Sequence, residues 1–432
     1  MPNPGDRIKI VTKKGVEEGM LMPSADNNIV LIKLDNGYNT GFEKKEIKKI
    51  MVLKKGKPKK HIFKSQAQAT NKNLPLIAVL HTGGTIASKV DYRTGAVVAS
   101  FGPEELVGMF PELKEIANIH SELISQMWSD DLRFKHFSLI AQKIQEQIKK
   151  GVKGIIIGMG TDNLAVASAA LAFIVEQSLI PIILVGAQRS SDRGSSDAGM
   201  NLICAAEFIA KTDFAGVAIC MHENEEDKNC LILPACKTYK LHSSRRDAFK
   251  AVNAVVLATI DYKTKEIKFK VNDYSKRADQ LILKPNMEER VGLLKIHVNM
   301  FPEQFDFFAK NKYKGLIIEG TGLGHTPGQV PNSECTIHKK IYPVIKKLVN
   351  SGCVVVMTTQ CLFGGVNLNV YDKGRDLLNL GVISGKDMLS NTALVKLSWL
   401  LANYPREKVK ELVAENLRGE INNQIAYQEN FY

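Results

Sequence analysis

The first 70 residues alternate short apolar runs with turn-forming residues, which is the pattern of a small antiparallel β domain. The predicted strands are Arg7–Val11, Gly19–Met22 and Ile29–Leu34. The Asn36-Gly37 pair between apolar flanks is a strong signal for a tight hairpin turn. We therefore predict a small N-terminal β-barrel domain at residues 1–70, and the lysine-rich stretch Lys54–Asn73 is predicted to be a linker.

From Leu74 onward the pattern changes to buried strands that alternate with helices. The predicted strands are Leu76–Leu80, Ile155–Ile157 and Pro181–Val185. Such short continuous apolar runs are typical of parallel sheets that are covered on both faces. Between the first two strands, Leu132–Lys150 repeats apolar residues at helical spacing. This alternation favours a large α/β domain at 74–275, with functional loops at the carboxyl ends of its strands.

The polar stretch Tyr262–Leu283 leads to a second, smaller α/β domain, which we predict at 288–432. The predicted strands are Leu293–Val298, Leu316–Glu319 and Val354–Thr358, with helices near Ile337–Leu348 and Met388–Asn403. The most apolar stretch, Leu164–Ala187, is interrupted by Glu176, Gln177 and Pro181. It therefore predicts a buried helix followed by a buried strand rather than a membrane span. The two tryptophans, Trp128 and Trp399, are expected in the core.

Composition narrows the class of protein. The chain has 432 residues, of which 44% are hydrophobic and 24% charged. These values are typical of a globular protein and argue against a disordered or fibrous one, and the length predicts two or three domains. The first ten residues contain no apolar signal segment. The seven cysteines contain no CxxC pair, which favours a reduced cytoplasmic chain over a disulfide framework or a zinc site.

Positive charge is concentrated at the N-terminus. Residues 1–73 hold 16 Lys+Arg and 7 Asp+Glu, a net charge of +9, and ten of these lysines lie between Lys44 and Lys64. Such a patch suits a polyanion such as RNA, because neutralised phosphates release counterions. It is equally typical of a solvated linker, and no aromatic stacking platform accompanies it. Both interpretations stay open.

Two strand-end turns carry candidate chemistry. The first, Leu80–Ser88, holds two glycines that permit a tight turn and expose Thr82 and Thr85. It has neither the GK[ST] of a phosphate-binding loop nor the GxGxxG spacing, so nucleotide binding is not predicted. Its alternative is an ordinary βα turn.

The second turn, Gly158–Asn163, places Thr161 and Asp162 at the start of a helix. Taken alone, this pair is also what ordinary helix capping requires. Threonine becomes a nucleophile only when a base removes its proton. A lysine serves as that base when burial or nearby positive charge favours its neutral amine, and Lys240 is the candidate.

The motifs TGGTIAS (82–88) and GTDN (160–163), with Lys240 nine residues before Phe249, resemble the type I/II L-asparaginase family. A longer segment, VGAQRSSDRGSSDAGMN (185–201), is similar to the archaeal branch whose members serve as D subunits of glutamyl-tRNA(Gln) amidotransferases. GMLMPSADNNIVLIKLDNGYN (19–39) and EGTGLGH (319–325) resemble the same branch. The resemblance implies a two-domain asparaginase-like α/β core with an SH3-like N-terminal antiparallel barrel.

The resemblance also implies roles for individual residues. Thr85 matches the nucleophile that accepts the acyl group, and Tyr92 matches the tyrosine that closes over the site. The implied second catalytic group is Thr161, Asp162 and Lys240. The implied substrate-binding positions are Ser125, Gln126, Gly84 and Gly160. The sequence departs from the family pattern at Met159 and Asn163, where a histidine and a threonine are usual.

The implied function is that of the glutaminase/asparaginase-type subunit that helps to convert Glu-tRNA(Gln) to Gln-tRNA(Gln). It would hydrolyse the side-chain amide of glutamine or asparagine through a threonyl acyl-enzyme and deliver ammonia to the E subunit of the same enzyme. ATP and Mg²⁺ would be used by that partner, so no cofactor or metal is expected in this chain. A heterodimer or a dimer of heterodimers is implied, with no membrane contact.

Two alternatives stay open. One is a free-standing L-asparaginase with an appended barrel, and the other is an inactive asparaginase-like RNA-binding scaffold. The intact set of Thr85, Thr161, Asp162 and Lys240 argues against the scaffold. His81, His242 and His325 lack metal-ligand spacing and are expected to be structural. In the 185–201 segment, Asp192, Arg193 and Asp197 are expected to brace their own loop, with a conduit or subunit contact as the alternative.

Overall fold

A computed structural model describes residues 2–13, 15–22, 24, 26, 28–35, 39–55, 71–84, 86, 88–90, 97–99, 109–191 and 195–425. Within these residues the main sheets comprise an N-terminal antiparallel sheet, a large mixed sheet and a smaller parallel sheet. None of the helices among the described residues is long and apolar enough to cross a membrane.

The N-terminal sheet has five antiparallel strands in the order β4-β3-β2-β1-β5. They are β1 (Arg7–Thr12), β2 (Val16–Met22), β3 (Ile29–Lys33), β4 (Asn39–Glu43) and β5 (Ile47–Lys54). Alternate residues of β1 and β3 point into a small core, where Ile8, Ile10 and Ile32 are fully buried. The predicted hairpin turn Asn36-Gly37 lies outside the described residues, but Lys33 and Asn39 on either side of it are paired.

The large sheet has eight strands in the order β18-β17-β14-β13-β12-β10-β6-β9. The strands of this region are β6 (Leu76–His81), β7 (Ser88–Val90), β8 (Val97–Ala99), β9 (Asn118–Leu123), β10 (Gly154–Gly158), β11 (Val175–Gln177), β12 (Pro181–Val185), β13 (Gly216–His222), β14 (Asn229–Pro234), β15 (Thr238–Lys240), β16 (Phe249–Ala251), β17 (Ala258–Asp261), β18 (Ile267–Phe269) and β19 (Ile282–Leu283). Its helices are α1 (Leu113–Ile116), α2 (Phe134–Lys149), α3 (Leu164–Ile174) and α4 (Ala198–Lys211). Strands β9, β6, β10, β12 and β13 are parallel, and β14, β17 and β18 continue the sheet antiparallel.

Helices cover both faces of this sheet because its central strands are apolar on both sides. On β10, Ile155 and Ile157 face the cluster that contains α2 and α3, whereas Ile156 faces the cluster that contains α4. This follows from the two-residue period of a strand. The arrangement leaves the carboxyl ends of the strands for the loops that carry polar residues.

The smaller sheet has four parallel strands in the order β20-β21-β22-β23. Its strands are β20 (Val291–Lys295), β21 (Gly315–Gly320), β22 (Val354–Thr359) and β23 (Ile383–Ser384). The accompanying helices are α5 (Pro302–Lys310), α6 (Ile341–Asn350), α7 (Asp372–Leu380), α8 (Ser390–Asn403) and α9 (Arg406–Leu412). Helix α8 packs against α3 of the large unit, where the rings of Trp399 and Phe173 stack with centroids 5.7 Å apart. The two units therefore share one continuous core.

The predicted fold class is confirmed, and so are most of the predicted elements. The strand at Pro181–Val185 has the predicted bounds, and the helix predicted at Leu132–Lys150 is α2.

Three expectations need correction. The strand predicted at Leu293–Val298 begins at Val291 and ends at Lys295, where its pairing with β21 ends. The helix predicted near Ile337–Leu348 begins as a 3-10 helix, Ser333–Lys340, and is α-helical from Ile341. Trp128 is 42% exposed and is not a core residue, whereas Trp399 is buried as predicted.

Candidate active site

The two candidate turns meet because β6 and β10 are neighbouring parallel strands. His81 pairs with Gly158 at their carboxyl ends, and the Thr82 N–H donates to the Gly158 carbonyl at 3.0 Å. Gly84 has a φ of +78°, and a Cβ at this position would lie 2.3 Å from the Gly160 nitrogen. Glycine is therefore required at Gly84, since a side chain would force the two turns apart.

A third segment, residues 124–131, lies along both turns. The Met127 N–H donates to the Thr82 carbonyl at 3.0 Å. A Cβ on Gly160 would lie 2.8 Å from Ser129 Oγ, and Asn163 Nδ2 donates to the Ser129 carbonyl at 2.8 Å. This contact gives a role to Asn163, which replaces the usual threonine.

The other residues predicted in these segments lie close by. Ser125 and Gln126 precede Met127, and Gln126 Cα would lie 3.5 Å from a Cβ on Gly83. The structure thus brings the predicted positions Gly84, Gly160, Ser125 and Gln126 to one end of the sheet. Met159, which replaces the usual histidine, is fully buried.

Lys240 joins the second turn from a separate hairpin. It is the last residue of β15, where it pairs with Phe249 of β16. Its Nζ donates to Thr161 Oγ1 and to Asp162 Oδ1, both at 2.8 Å. The Lys240 side chain is 13% exposed, whereas that of Asp162 is 70% exposed. A shielded amine that contacts a threonine hydroxyl and is oriented by a carboxylate has the geometry of a general base group.

A fourth residue contacts this group, although the sequence motifs assigned no role to it. The Thr161 hydroxyl donates to Gln188 Oε1 at 3.4 Å. Gln188 belongs to the 185–201 segment, which follows β12, the next strand in the sheet. The sequence did hint at Gln188, because it also follows a buried parallel strand. However, glutamine belongs to no catalytic motif that would have marked it as a site residue.

Asp197 braces this segment as expected. Its carboxylate is fully buried and accepts hydrogen bonds from the Gln188 and Arg189 N–H groups at 3.0 and 3.1 Å. Burial raises the pKa of the Asp197 carboxyl. Asn201 Nδ2 also contacts this carboxylate, at 3.4 Å. Asp192 and Arg193, predicted to share the bracing role, lie outside the described residues.

Thr85 and Tyr92 also lie outside the described residues, so their predicted roles stay predictions. The neighbouring His81 is fully buried, and its ring nitrogens have no hydrogen-bond partner in the described part of the chain. Burial lowers the pKa of His81 to about 4. Across the described ranges, no group of three or more His, Cys, Asp and Glu side chains is placed to hold a metal ion.

Family models match along most of the chain. They are described as "Asparaginase, N-terminal" (residues 76–274), "Glutaminase/Asparaginase C-terminal domain" (290–413) and "GatD N-terminal domain" (2–53). A protein from Pyrococcus furiosus, named as the D subunit of glutamyl-tRNA(Gln) amidotransferase, is 43% identical over 96% of this chain and 94% of its own length. A protein of the same name from Methanococcus maripaludis is 42% identical over 98% of both chains.

The chain belongs to the family of glutamyl-tRNA(Gln) amidotransferase D subunits. This confirms the resemblance seen in the sequence motifs. Solved structures resemble this D-subunit family member over the asparaginase-like part. The thermostable L-asparaginase from Thermococcus kodakarensis has a TM-score of 0.71 and 28% identity, covering 81% of this chain and 100% of its own. L-asparaginase I from Vibrio cholerae has a TM-score of 0.69 and 26% identity, covering 81% and 99%.

Proposed function

We propose that this chain is the amide-hydrolysing subunit of a tRNA-dependent amidotransferase that converts Glu-tRNA(Gln) to Gln-tRNA(Gln). The observation that carries the proposal is the shielded Lys240 amine, 2.8 Å from both the Thr161 hydroxyl and the Asp162 carboxylate. It is found in a chain that is 43% identical, over nearly its whole length, to a protein named as the D subunit of that enzyme.

The proposed reaction is hydrolysis of the side-chain amide of glutamine or asparagine in two steps. In the first, a threonine oxygen bonds to the amide carbon, the C–N bond breaks, and the threonine proton leaves with the nitrogen as ammonia. In the second, water attacks the ester, which releases the free acid and restores the hydroxyl. We assign the nucleophile to Thr85, which follows Gly84 directly.

Lys240, Thr161 and Asp162 supply the proton path in this proposal. The neutral Lys240 amine takes the proton of the Thr161 hydroxyl, and the Thr161 oxygen takes that of the attacking threonine. Asp162 stabilises the resulting ammonium from the solvent side. The ammonium then returns this proton through Thr161 to the departing nitrogen, which leaves as ammonia. Backbone N–H groups at the two glycine turns are suited to stabilise the oxyanion of the tetrahedral intermediate.

The ammonia would be used by a second protein, the E subunit, which activates the tRNA-bound glutamate with ATP and Mg²⁺. We assign neither cofactor to this chain. Its basic N-terminal region, with a net charge of +9 over residues 1–73, suits contact with tRNA or with the partner. The match of residues 2–53 to a GatD N-terminal domain favours this assembly over a free-standing asparaginase.

The test is the rate of glutamine and asparagine hydrolysis by the wild type, Lys240→Met and Lys250→Met, with and without the E subunit. Lys250 lies on the paired strand β16 and donates to the Glu223 carbonyl, away from Thr161, so it is a matched control. We expect Lys240→Met to lose activity by on the order of 10²–10⁴-fold, and Lys250→Met to keep it. Full activity in Lys240→Met, or none in the wild type under any condition, would contradict the proposal.

A further inference from the structure

The carboxamide of Gln188 shares the hydroxyl group on which the reactive lysine acts. Thr161 Oγ1 accepts a hydrogen bond from Lys240 Nζ at 2.8 Å and donates one to Gln188 Oε1 at 3.4 Å. Thr161 itself is only 7% exposed, so water has little access to either contact. The hydroxyl proton therefore points toward Gln188 when Lys240 is protonated.

The amide nitrogen of Gln188 takes no part in this contact. This Nε2 atom is shielded from solvent, and it has no hydrogen-bond partner in the part of the chain that the structure describes. An unpaired buried donor is unfavourable, and native proteins keep few of them. Such a donor beside a reactive hydroxyl points to a bond that forms in another state of the site.

The loop around Gln188 is fixed at both of its ends. On one side the Gln188 N–H donates to both oxygens of the buried Asp197 carboxylate, each at 3.0 Å. On the other side Ser191 Oγ donates to the Ile86 carbonyl at 2.5 Å. Ile86 follows the predicted nucleophile Thr85, so this loop is anchored to the first turn and contacts the second.

We propose that Gln188 is a positioning residue for proton transfer through Thr161. While Lys240 is protonated, the Gln188 carbonyl accepts the Thr161 hydroxyl proton. When Lys240 is neutral, the hydroxyl turns toward the amine, which takes its proton, and the Gln188 carboxamide turns to donate Nε2–H to the Thr161 oxygen. The inference rests on the proposed function and deepens it, since it assigns a further residue to the same reaction.

The chemistry requires a side chain with both a donor and an acceptor. Of the side chains that match glutamine in size, glutamate at neutral pH only accepts and methionine does neither strongly. Gln188→Glu and Gln188→Met therefore separate the two halves of the role. Gln147→Met is the matched control, because Gln147 is buried at the far end of α2 and donates to Glu122.

The experiment measures kcat, KM and the pH profile of glutamine hydrolysis for these variants, with Lys240→Met and thermal unfolding as references. We expect Gln188→Met to lower kcat by about tenfold to a hundredfold, with KM changed less than about twofold. Gln188→Glu places a negative charge against the Thr161 hydroxyl, which Lys240 also contacts. The added charge favours the protonated amine, so the acid limb of the kcat profile moves to higher pH by about one unit.

A merely structural role would lower the unfolding temperature without moving the pH profile. Suppose that Lys240→Met is inactive but kcat is unchanged in Gln188→Met and the pH profile is unmoved in Gln188→Glu. This result would overturn the inference about Gln188 and leave the proposed function standing. Absence of amide hydrolysis in the wild type, alone and with the E subunit, would overturn both.

Discussion

At the scale of single residues, the candidate site depends on one amine held by two hydrogen bonds of equal length. Lys240 contacts Thr161 on its buried side and Asp162 on its exposed side. Neither contact is local in sequence, since Lys240 lies 79 residues from Thr161 and 78 residues from Asp162. The hairpin of β15 and β16 brings this lysine to the turn.

The first prediction is that Lys240 and Thr161 act as one unit. Lys240→Met and Thr161→Ala should each lower kcat by on the order of 10²–10⁴-fold, and the double variant should lose little more. Groups that share one proton path give non-additive losses. Lys240→Arg should also be inactive, because a guanidinium cannot give up its proton at neutral pH. Multiplied losses in the double variant would mean that the two residues act independently.

The sequence located part of this site and missed part of it. The sequence pointed to Thr161 and Asp162 because both follow a buried strand. It pointed to Lys240 through the resemblance of the sequence motifs to a known family. Gln188 was not assigned a role, because its contact with Thr161 depends on the order of strands in the sheet. Trp128 is expected in the core, but the 124–131 segment holds it at the surface.

At the scale of elements, the loop that follows β12 is held by a carboxylate rather than by regular structure. Asp197 accepts the N–H groups of Gln188 and Arg189 while fully buried. The loop also contacts Ile86 and Thr161, so it links the two candidate turns.

The second prediction concerns this brace. Asp197→Ala removes the acceptor of two N–H groups in a buried place, which should destabilise the fold by about 1–3 kcal/mol for each group and lower kcat. Asp261→Ala is the matched control, because Asp261 accepts two backbone N–H groups at 2.9 and 2.8 Å on a surface turn. Thermal unfolding and glutamine hydrolysis are measured together. Equal effects of the two substitutions would contradict a special role for Asp197.

Periodicity predicted the long elements and not the short ones. The buried strands β10 and β12 and the amphipathic helix α2 carry their pattern over enough residues to be recognised. The ribbon of β15 and β16 has three residues on each side. Its sequence has no alternation to detect, since its pairing is decided by packing against the rest of the molecule.

At the scale of the whole molecule, the strand that carries Lys240 is fixed by the smaller unit. Lys237, three residues before Lys240, donates to the Asp387 carboxylate at 2.6 Å, and both side chains are almost fully buried. Asn422 donates twice to the same carboxylate, from its backbone and its side chain. Burial lowers the pKa of the Lys237 amine, which the Asp387 carboxylate opposes.

The third prediction is that Asp387→Ala destabilises the protein strongly. It leaves the Lys237 ammonium buried without its partner, which should cost about 3–5 kcal/mol. Lys237→Met combined with Asp387→Leu should recover part of this loss, because the unpaired lysine charge is gone, although the two Asn422 N–H groups still lack their acceptor. Glu411→Ala breaks the exposed pair with Lys408 at 2.9 Å and should change stability by less than about 1 kcal/mol. A small effect of Asp387→Ala on the unfolding temperature would contradict the stabilising role of the Lys237–Asp387 ion pair.

The spacing of hydrophobic residues changes along the sequence, and strands and helices have different periods. This change predicted one antiparallel unit followed by α/β units. The contact between Lys237 and Asp387 could not be predicted in this way. The two residues are 150 positions apart, and a lone lysine or aspartate in a sequence gives no sign that it will be buried.

The most direct test of the account is formation of Gln-tRNA(Gln) by this chain together with the E subunit, Glu-tRNA(Gln), ATP and Mg²⁺. With glutamine as the nitrogen source, the wild type should form product and Lys240→Met should form almost none. With ammonium chloride in place of glutamine, both should form product at similar rates, because only the release of ammonia depends on Lys240. Product from glutamine in the Lys240→Met complex at the wild-type rate, or none in the wild-type complex, would contradict the account.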